Sequence, residues 1–342
     1  MTTTEFAAFH NDLRAVAGDV LARETVVDWA RMIDTGWAGL EVPEEFGGAG
    51  ATFAETALIC EELGRAAATT QYLGSVVLAV GALTALPAGT ARDRLLTVIA
   101  AGELRVTAVI GQGAAFRLTA DRRLSGSAEF VPDAEGADRF LVLATDVSGT
   151  EVVVDVAGLA VTAQPVLDPT RAVATVAADG IEVDASAVLR FAEPCGAQTV
   201  RNRAALAVAC DSLGLAEAML AKTVSYARAR TQFGRPIGSF QAVKHACADM
   251  MVTISAARAL VGTAVATLVA DEADDVTAAV AMAKSYTGAA AVEVVGKALQ
   301  LHGGIGYTWE SGIHAYLKRA TFNRSLFGSP SAHRQYLTHR YH

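Results

Sequence analysis

Two stretches of the chain combine residue types that could hold a phosphorylated ligand. The first is Tyr226-Ala227-Arg228-Ala229-Arg230-Thr231-Gln232-Phe233-Gly234-Arg235-Pro236-Ile237-Gly238-Ser239-Phe240-Gln241. It places Arg230, an aromatic ring and two amides at a turn between two long apolar segments. A guanidinium suits a diphosphate, and amide side chains suit a purine edge. The second is Gln300-Leu301-His302-Gly303-Gly304-Ile305-Gly306-Tyr307, whose glycines would let backbone N–H groups approach an anion. Each segment has a plain alternative, a connection between helices closed by a capping glycine. Other chemistries find less support. His245 with Cys247, and His339 with His342, lack a second pair at zinc spacing, so no metal site is expected. No Gly-x-Ser-x-Gly elbow is present for a hydrolase.

The elements that must carry these segments change texture twice. From Glu5 to about Gly102 the pattern is helical, with Phe6, Phe9, Leu13, Val16, Val20 and Leu21 at three- and four-residue steps. The loop Val42-Pro43-Glu44-Glu45-Phe46-Gly47-Gly48 interrupts it, and an apolar helix is expected from Tyr72 to Leu86, ending before Pro87. Short β-branched runs follow at Leu104–Ile110, Phe140–Ala144, Glu151–Val156, Leu159–Thr162 and Ala172–Ala177. Ser125-Gly126, Ser148-Gly149, Asp168-Pro169 and Asp179-Gly180 read as the turns between them. After Pro194 three long Ala-rich stripes predict a helical bundle. The expected fold class is therefore α+β: a helical domain over 1–103, a small antiparallel β domain over 104–193 and a four-helix bundle over 194–342.

Composition bounds the function. The 342 residues are 52% hydrophobic and carry a net charge of −8, which offers no basic face for nucleic acid. The four cysteines show no paired spacing and read as reduced thiols of a cytoplasmic protein. The first twenty residues are polar and acidic, unlike a secretory signal. No run of about 18 uncharged apolar residues occurs, so no membrane span is expected.

In this order and combination the motifs resemble the acyl-CoA dehydrogenase family of flavoproteins over nearly the whole chain. Val42–Gly48 is similar to that family's N-terminal loop, and Arg230–Gln241 and Gln300–Gly306 to its two flavin-anchoring segments. The resemblance implies FAD lying between subunits. Its ADP half would be held for the neighbouring chain by Arg230, Gln232, Phe233, Gln300, Gly303 and Gly304, with Gln241 also near the cofactor. It further implies α,β-desaturation of an acyl-CoA thioester, a carboxylate base for the α proton, and reoxidation by an electron-transfer flavoprotein.

The chain departs from the family where the base should be. Phe327 occupies the position of the usual glutamate, and Ala204 the alternative position on the first bundle helix. Asp211, seven residues after Ala204, is either a nearby carboxylate for catalysis or a helix-packing acid. Thr107-Ala108-Val109-Ile110-Gly111-Gln112-Gly113-Ala114 keeps little of the family's flavin-ring segment. No catalytic residue is therefore assigned to this chain. Intact ADP segments beside a degraded ring side resemble the actinobacterial heteromeric enzymes, in which two unlike chains form an α2β2 assembly acting on bulky substrates such as steroid-derived thioesters. The rival readings are a flavin monooxygenase or oxidase on the same fold, and a non-catalytic scaffold.

Overall fold

The computed structural model describes residues 3–111, 115–270 and 273–341. Helices α1 (Thr3–Arg23), α2 (Trp29–Asp34) and α3 (Phe53–Ala66) open the chain, with β1 (Val26–Val27) paired in parallel to β2 (Thr69–Thr70). Helix α3 begins where the sequence supplies a capping box. Thr52 Oγ1 accepts from the Ala54 N–H at 3.2 Å, and Glu55 Oε2 accepts from the Thr52 N–H at 2.8 Å. The apolar run after Tyr72 is not one regular α-helix. It is π-helical over Leu73–Val80, continues as α4 (Gly81–Thr84), and ends before Pro87. Helix α5 (Thr90–Ala100) completes this part.

The strands are β3 (Val106–Val109), β4 (Phe116–Leu118), β5 (Arg123–Pro132), β6 (Arg139–Thr145), β7 (Glu151–Val156), β8 (Ala160–Ala163), β9 (Val173–Glu182) and β10 (Val188–Arg190). They form one sheet in the order β10-β7-β6-β4-β5-β9-β8, with β3 against β6. The sheet is mixed rather than purely antiparallel. The β4–β5 excursion lets the chain return in β6 parallel to β3, pairing Val106 with Arg139. Two expected turns also fall inside strands, Ser125-Gly126 in β5 and Asp179-Gly180 in β9. At Gly126 the register shifts, φ is 140°, and a Cβ would lie 2.1 Å from the Ala115 carbonyl oxygen. The glycine marks a bulge at a close backbone approach, which a sequence reads as a turn. Both faces of the sheet are covered. Phe140, Val142, Ala144, Val152 and Val154 point into the β domain's own core, while Leu141, Leu143 and Val153 join the core of the helices.

The C-terminal helices are α6 (Gly196–Ala229), α7 (Gln241–Val269), α8 (Ala273–His302), α9 (Ile313–Ser325) and α10 (Pro330–Tyr341), with hairpin strands β11 (Thr231–Gln232) and β12 (Arg235–Pro236) between α6 and α7. Helix α6 runs through the centre and crosses α3 backbone to backbone. A Cβ on Gly64 would lie 2.0 Å from the Asp211 carbonyl oxygen, and one on Gly214 would lie 1.9 Å from that of Glu61. On α7, Met250, Ile254, Ala257 and Val261 are buried at three- and four-residue steps, whereas Val243, Cys247 and Leu268 of the same apolar stripe are only partly covered. By length and composition alone, two helices reach what a membrane crossing needs, α6 at mean hydropathy 1.6 and α7 at 1.7 over 18 residues. In α6 that stretch is 83% buried in the protein's own core, but in α7 only 22% is covered. The outer face of α7, with Met251 and Val252, is exposed.

Candidate cofactor-binding site

The two phosphate-type segments sit at one end of the bundle. Tyr226, one turn before the end of α6, stacks on His302 at the end of α8 with ring centroids 4.5 Å apart. Its hydroxyl reaches the His302 carbonyl at 3.4 Å, and His302 Nδ1 lies 2.7 Å from the Ala298 carbonyl oxygen. This pair brings Arg230 and Gly303 to the same rim. Helix α6 stops at Arg230, and a two-residue loop with φ of 53° at Phe233 and 77° at Gly234 turns β11 into β12. Both loop residues are left-handed, as a tight hairpin that follows the strand twist requires. The Phe233 ring is 92% exposed and touches Phe240 edge-on at 6.2 Å. Arg230, Gln232, Gln241 and Gln300 are exposed, as are Gly303 and Gly304. Among the described residues the Arg230 guanidinium has no hydrogen-bond or ion-pair partner, whereas the Arg235 guanidinium lies 4.2 Å over the Phe240 ring. A free guanidinium, three amides, an exposed aromatic ring and two uncovered glycines form a donor set suited to a nucleoside diphosphate.

The other candidate region lies at the opposite end of α6. A cavity of about 590 Å³ opens between the β domain and the bundle, within the size range of ligand pockets. Ile110, Gly111, Glu129 and Phe130 form one wall. Arg201, Phe322 and the turn from Ser325 to Ser329 form the other. The Arg201 guanidinium is engaged by Glu151. Phe327 lines this cavity and also a second one of about 280 Å³ between α6, α8 and α10. Ala204 is fully buried among helices. Thr107 is fully buried as well, and its hydroxyl donates to the Asp133 carbonyl at 3.1 Å. Gln112, Gly113 and Ala114 lie outside the described residues.

Asp211 is a packing acid. Its carboxylate accepts from Arg319 Nε at 3.0 Å and from Asn323 Nδ2 at 2.6 Å, and pairs with Arg171 Nη2 at 3.0 Å. Burial pushes this carboxyl up, but the two guanidiniums outweigh it and hold it below the usual carboxylate range. A group so held is a poor proton acceptor. Arg319 also donates to the Ala68 carbonyl at 2.6 Å and to Thr170 Oγ1 at 3.0 Å, so the cluster ties the N-terminal helices, the β domain and the bundle together. Asp133, at the edge of this cluster, accepts from the Gly74 N–H at 2.7 Å, and burial raises its carboxyl to about 7.

Sequence reasoning missed Glu129, Phe130 and Arg201 as cavity residues, and it missed Lys284. Lys284 is fully buried, and its ammonium donates to the carbonyls of Asn323 at 2.9 Å, Arg324 at 3.3 Å and Gly328 at 3.0 Å. A lysine in an Ala-rich helix carries no signal of that kind. Among the described residues no group of three or more His, Cys, Asp or Glu side chains is placed to hold a metal ion.

Comparison with known proteins matches this architecture. Residues 2–103 fit the model of the acyl-CoA dehydrogenase N-terminal domain, and residues 197–342 that of the acyl-CoA dehydrogenase C-terminal domain. The acyl-CoA dehydrogenase IpdE2 of Mycobacterium tuberculosis is 35% identical over 297 residues, covering 86% of this chain and 80% of its own length. Among solved structures, the ChsE4–ChsE5 complex from Mycobacterium tuberculosis superposes with a TM-score of 0.88 at 26% identity, covering 97% of this chain and 96% of that one. The Tcur3481–Tcur3483 steroid ACAD superposes with a TM-score of 0.85 at 28% identity, covering 97% of both chains. The chain belongs to the acyl-CoA dehydrogenase family, flavoprotein oxidoreductases that act on the CH–CH bond of an acyl-CoA thioester.

Proposed function

We propose that this chain is one subunit of a heteromeric FAD-dependent acyl-CoA dehydrogenase. It holds the ADP half of a cofactor whose reactive ring lies in a paralogous partner, and that partner supplies the catalytic base. One observation carries the reading. The free donor set is at the C-terminal end of α6 and the cavity is at its N-terminal end. From Arg201 to Arg230 the helix rises about 44 Å, far more than one dinucleotide spans. A cofactor anchored at Arg230 therefore belongs to a ring pocket on another chain. In this chain's own cavity the expected base position holds Phe327, and Asp211 is spent on two arginines.

The residues present fit the ADP half of FAD. Arg230 would neutralise the diphosphate, Gln232, Gln241 and Gln300 would satisfy polar edges, and Phe233 would cover an aromatic face. Such a cofactor would supply the acceptor for the hydride that leaves the substrate's β-carbon. This chain's part is to bind and orient it and to exclude water from its diphosphate. The exposed face of α7 suits a large, apolar subunit contact, and the solved relative with a TM-score of 0.88 is the ChsE4–ChsE5 complex. An α2β2 assembly, a bulky ring-derived acyl-CoA substrate, an electron-transfer flavoprotein as acceptor and a cytoplasmic setting complete the proposal. Purification of the chain alone and with its paralogue, with FAD counted per chain, tests it. The chain alone should carry little flavin and no activity; a yellow, active homo-oligomer would refute the assignment.

A further inference from the structure

Arg230 and the Gly303–Gly304 turn stand at the ends of two different helices, and one aromatic pair bridges them across 76 residues of sequence. Lys222, Tyr226 and Arg230 follow one another at four-residue steps on α6, so their side chains share a face. The first two are engaged with neighbouring helices. Lys222 Nζ donates to the Tyr316 hydroxyl at 3.1 Å and lies 4.4 Å from the centre of its ring, while Tyr316 donates to the Arg65 carbonyl at 3.0 Å. Tyr226 lies on His302 with the ring planes 21° apart. Of the three, only Arg230 has no side-chain partner among the described residues. Each side of the stack fixes backbone that a ligand would meet. On α6 the Tyr226 carbonyl accepts from the Arg230 N–H at 2.8 Å, and the Arg230 carbonyl accepts from the Ile237 N–H at 2.8 Å. On α8, His302 is the last residue of the helix, and Gly303 follows it with φ of 60°. The imidazole has no freedom to turn. It is 7% exposed, and its Nδ1 lies 2.7 Å from the Ala298 carbonyl oxygen, which can only accept, so Nδ1 carries the proton. Packing alone would be served by two aliphatic side chains. A tyrosine ring laid flat on an imidazole whose N–H is pinned to its own helix also fixes how the two helix ends face each other.

We propose that Tyr226 and His302 are positioning residues for the cofactor's diphosphate: their stack holds Arg230 and the exposed Gly303–Gly304 backbone at the separation at which one diphosphate meets both. The proposal rests on the reading that this end of the bundle binds the ADP half of FAD. An exposed arginine on a loose helix end spreads over many rotamers, and ordering it on binding weakens affinity. With the two helix ends locked, the donors are arranged before the ligand arrives. The two rings act through Arg230 rather than on the ligand, so most of their effect must vanish when Arg230 is absent.

The test is a double-mutant cycle on FAD affinity in the assembly of this chain with its unaltered partner, read by flavin fluorescence on titration of the apo protein. Tyr226→Leu and His302→Leu keep apolar bulk but lose the stack, and each should weaken FAD about five- to tenfold, the scale of one aromatic pair. Tyr226→Phe keeps the ring and should stay within about twofold. In an Arg230→Ala background the same leucine replacements should cost about twofold or less, because the residue they position is gone. Should the leucine variants fail to fold, His302→Gln, which keeps an N–H for the Ala298 carbonyl but has no ring, runs the same cycle. An equal loss in both backgrounds marks the stack as packing and overturns the proposal, as does a loss below about twofold when Arg230 is present. Unchanged affinity in Arg230→Ala would refute the cofactor reading and the proposal together. A loss in Arg230→Ala with none in the stack variants refutes the proposal alone.

Discussion

Replacing Asp211 with alanine would leave Arg319, 1% exposed, and Arg171, 10% exposed, facing each other without a counter-charge. Removing one partner of a buried pair typically costs about 3–5 kcal/mol. Asp211 answers two guanidiniums and the Asn323 amide, so the upper part of that range, about 4–5 kcal/mol, is expected here. The loss should spread beyond α6, because Arg319 also holds the Ala68 carbonyl and Thr170. In calorimetry the melting temperature should fall by on the order of 5–10 °C. Asp211→Asn should lose less, since an amide oxygen can still accept from Arg319 or Asn323. In the assembled enzyme, turnover of Asp211→Asn should stay within a few-fold. The reasoning is refuted if Asp211→Ala melts within about 1 kcal/mol of wild type, or if Asp211→Asn costs the 10²–10⁴-fold expected on losing a general base.

Three other perturbations read separate parts of the structure. The Asp133 carboxyl, raised to about 7, keeps a proton that the unfolded chain releases near 3.8, so stability should fall as pH rises from 4 to 7 and flatten above. That interval corresponds to about 4 kcal/mol at most; Asp133→Asn should remove the slope and raise the pH 8 melting temperature, as seen by fluorescence melts across pH. Gly64→Ala sets a methyl 2.0 Å from the Asp211 carbonyl oxygen, so urea titration should show a loss of about 1–3 kcal/mol or more. Met251→Arg or Val252→Asp on the uncovered face of α7 should leave the chain's own melting unchanged but prevent co-purification with the partner, since both side chains are exposed in the single chain.

Legibility in the sequence followed how local the determining contacts are. The long bundle helices and the turn at Phe233-Gly234 between two of them could be read because spacing and turn chemistry are local signals. Strand β5 was missed because Ser125-Gly126 has the composition of a turn; only the Ala115 carbonyl, packed against Gly126, shows that it is a bulge. The role of Asp211 stayed open because its partner Arg319 lies 108 residues away. Lys284 and Phe130 carried no signal at all, since an ammonium capping a distant helix end and a left-handed phenylalanine are tertiary facts. The Arg230 segment stood out by its residue types as a candidate contact for a diphosphate. That it lies at the far end of α6 from the cavity followed only from the fold.

The division of the cofactor between chains is tested most directly by Arg230→Ala made in this chain alone and assembled with an unaltered partner. The guanidinium is exposed, so its removal should leave the bundle folded. A charge-assisted contact to a diphosphate is worth roughly 1.5–3 kcal/mol. FAD affinity of the complex, measured by flavin fluorescence on titration of the apo assembly, should therefore weaken about ten- to a hundredfold. Unchanged FAD affinity in that complex would contradict the account.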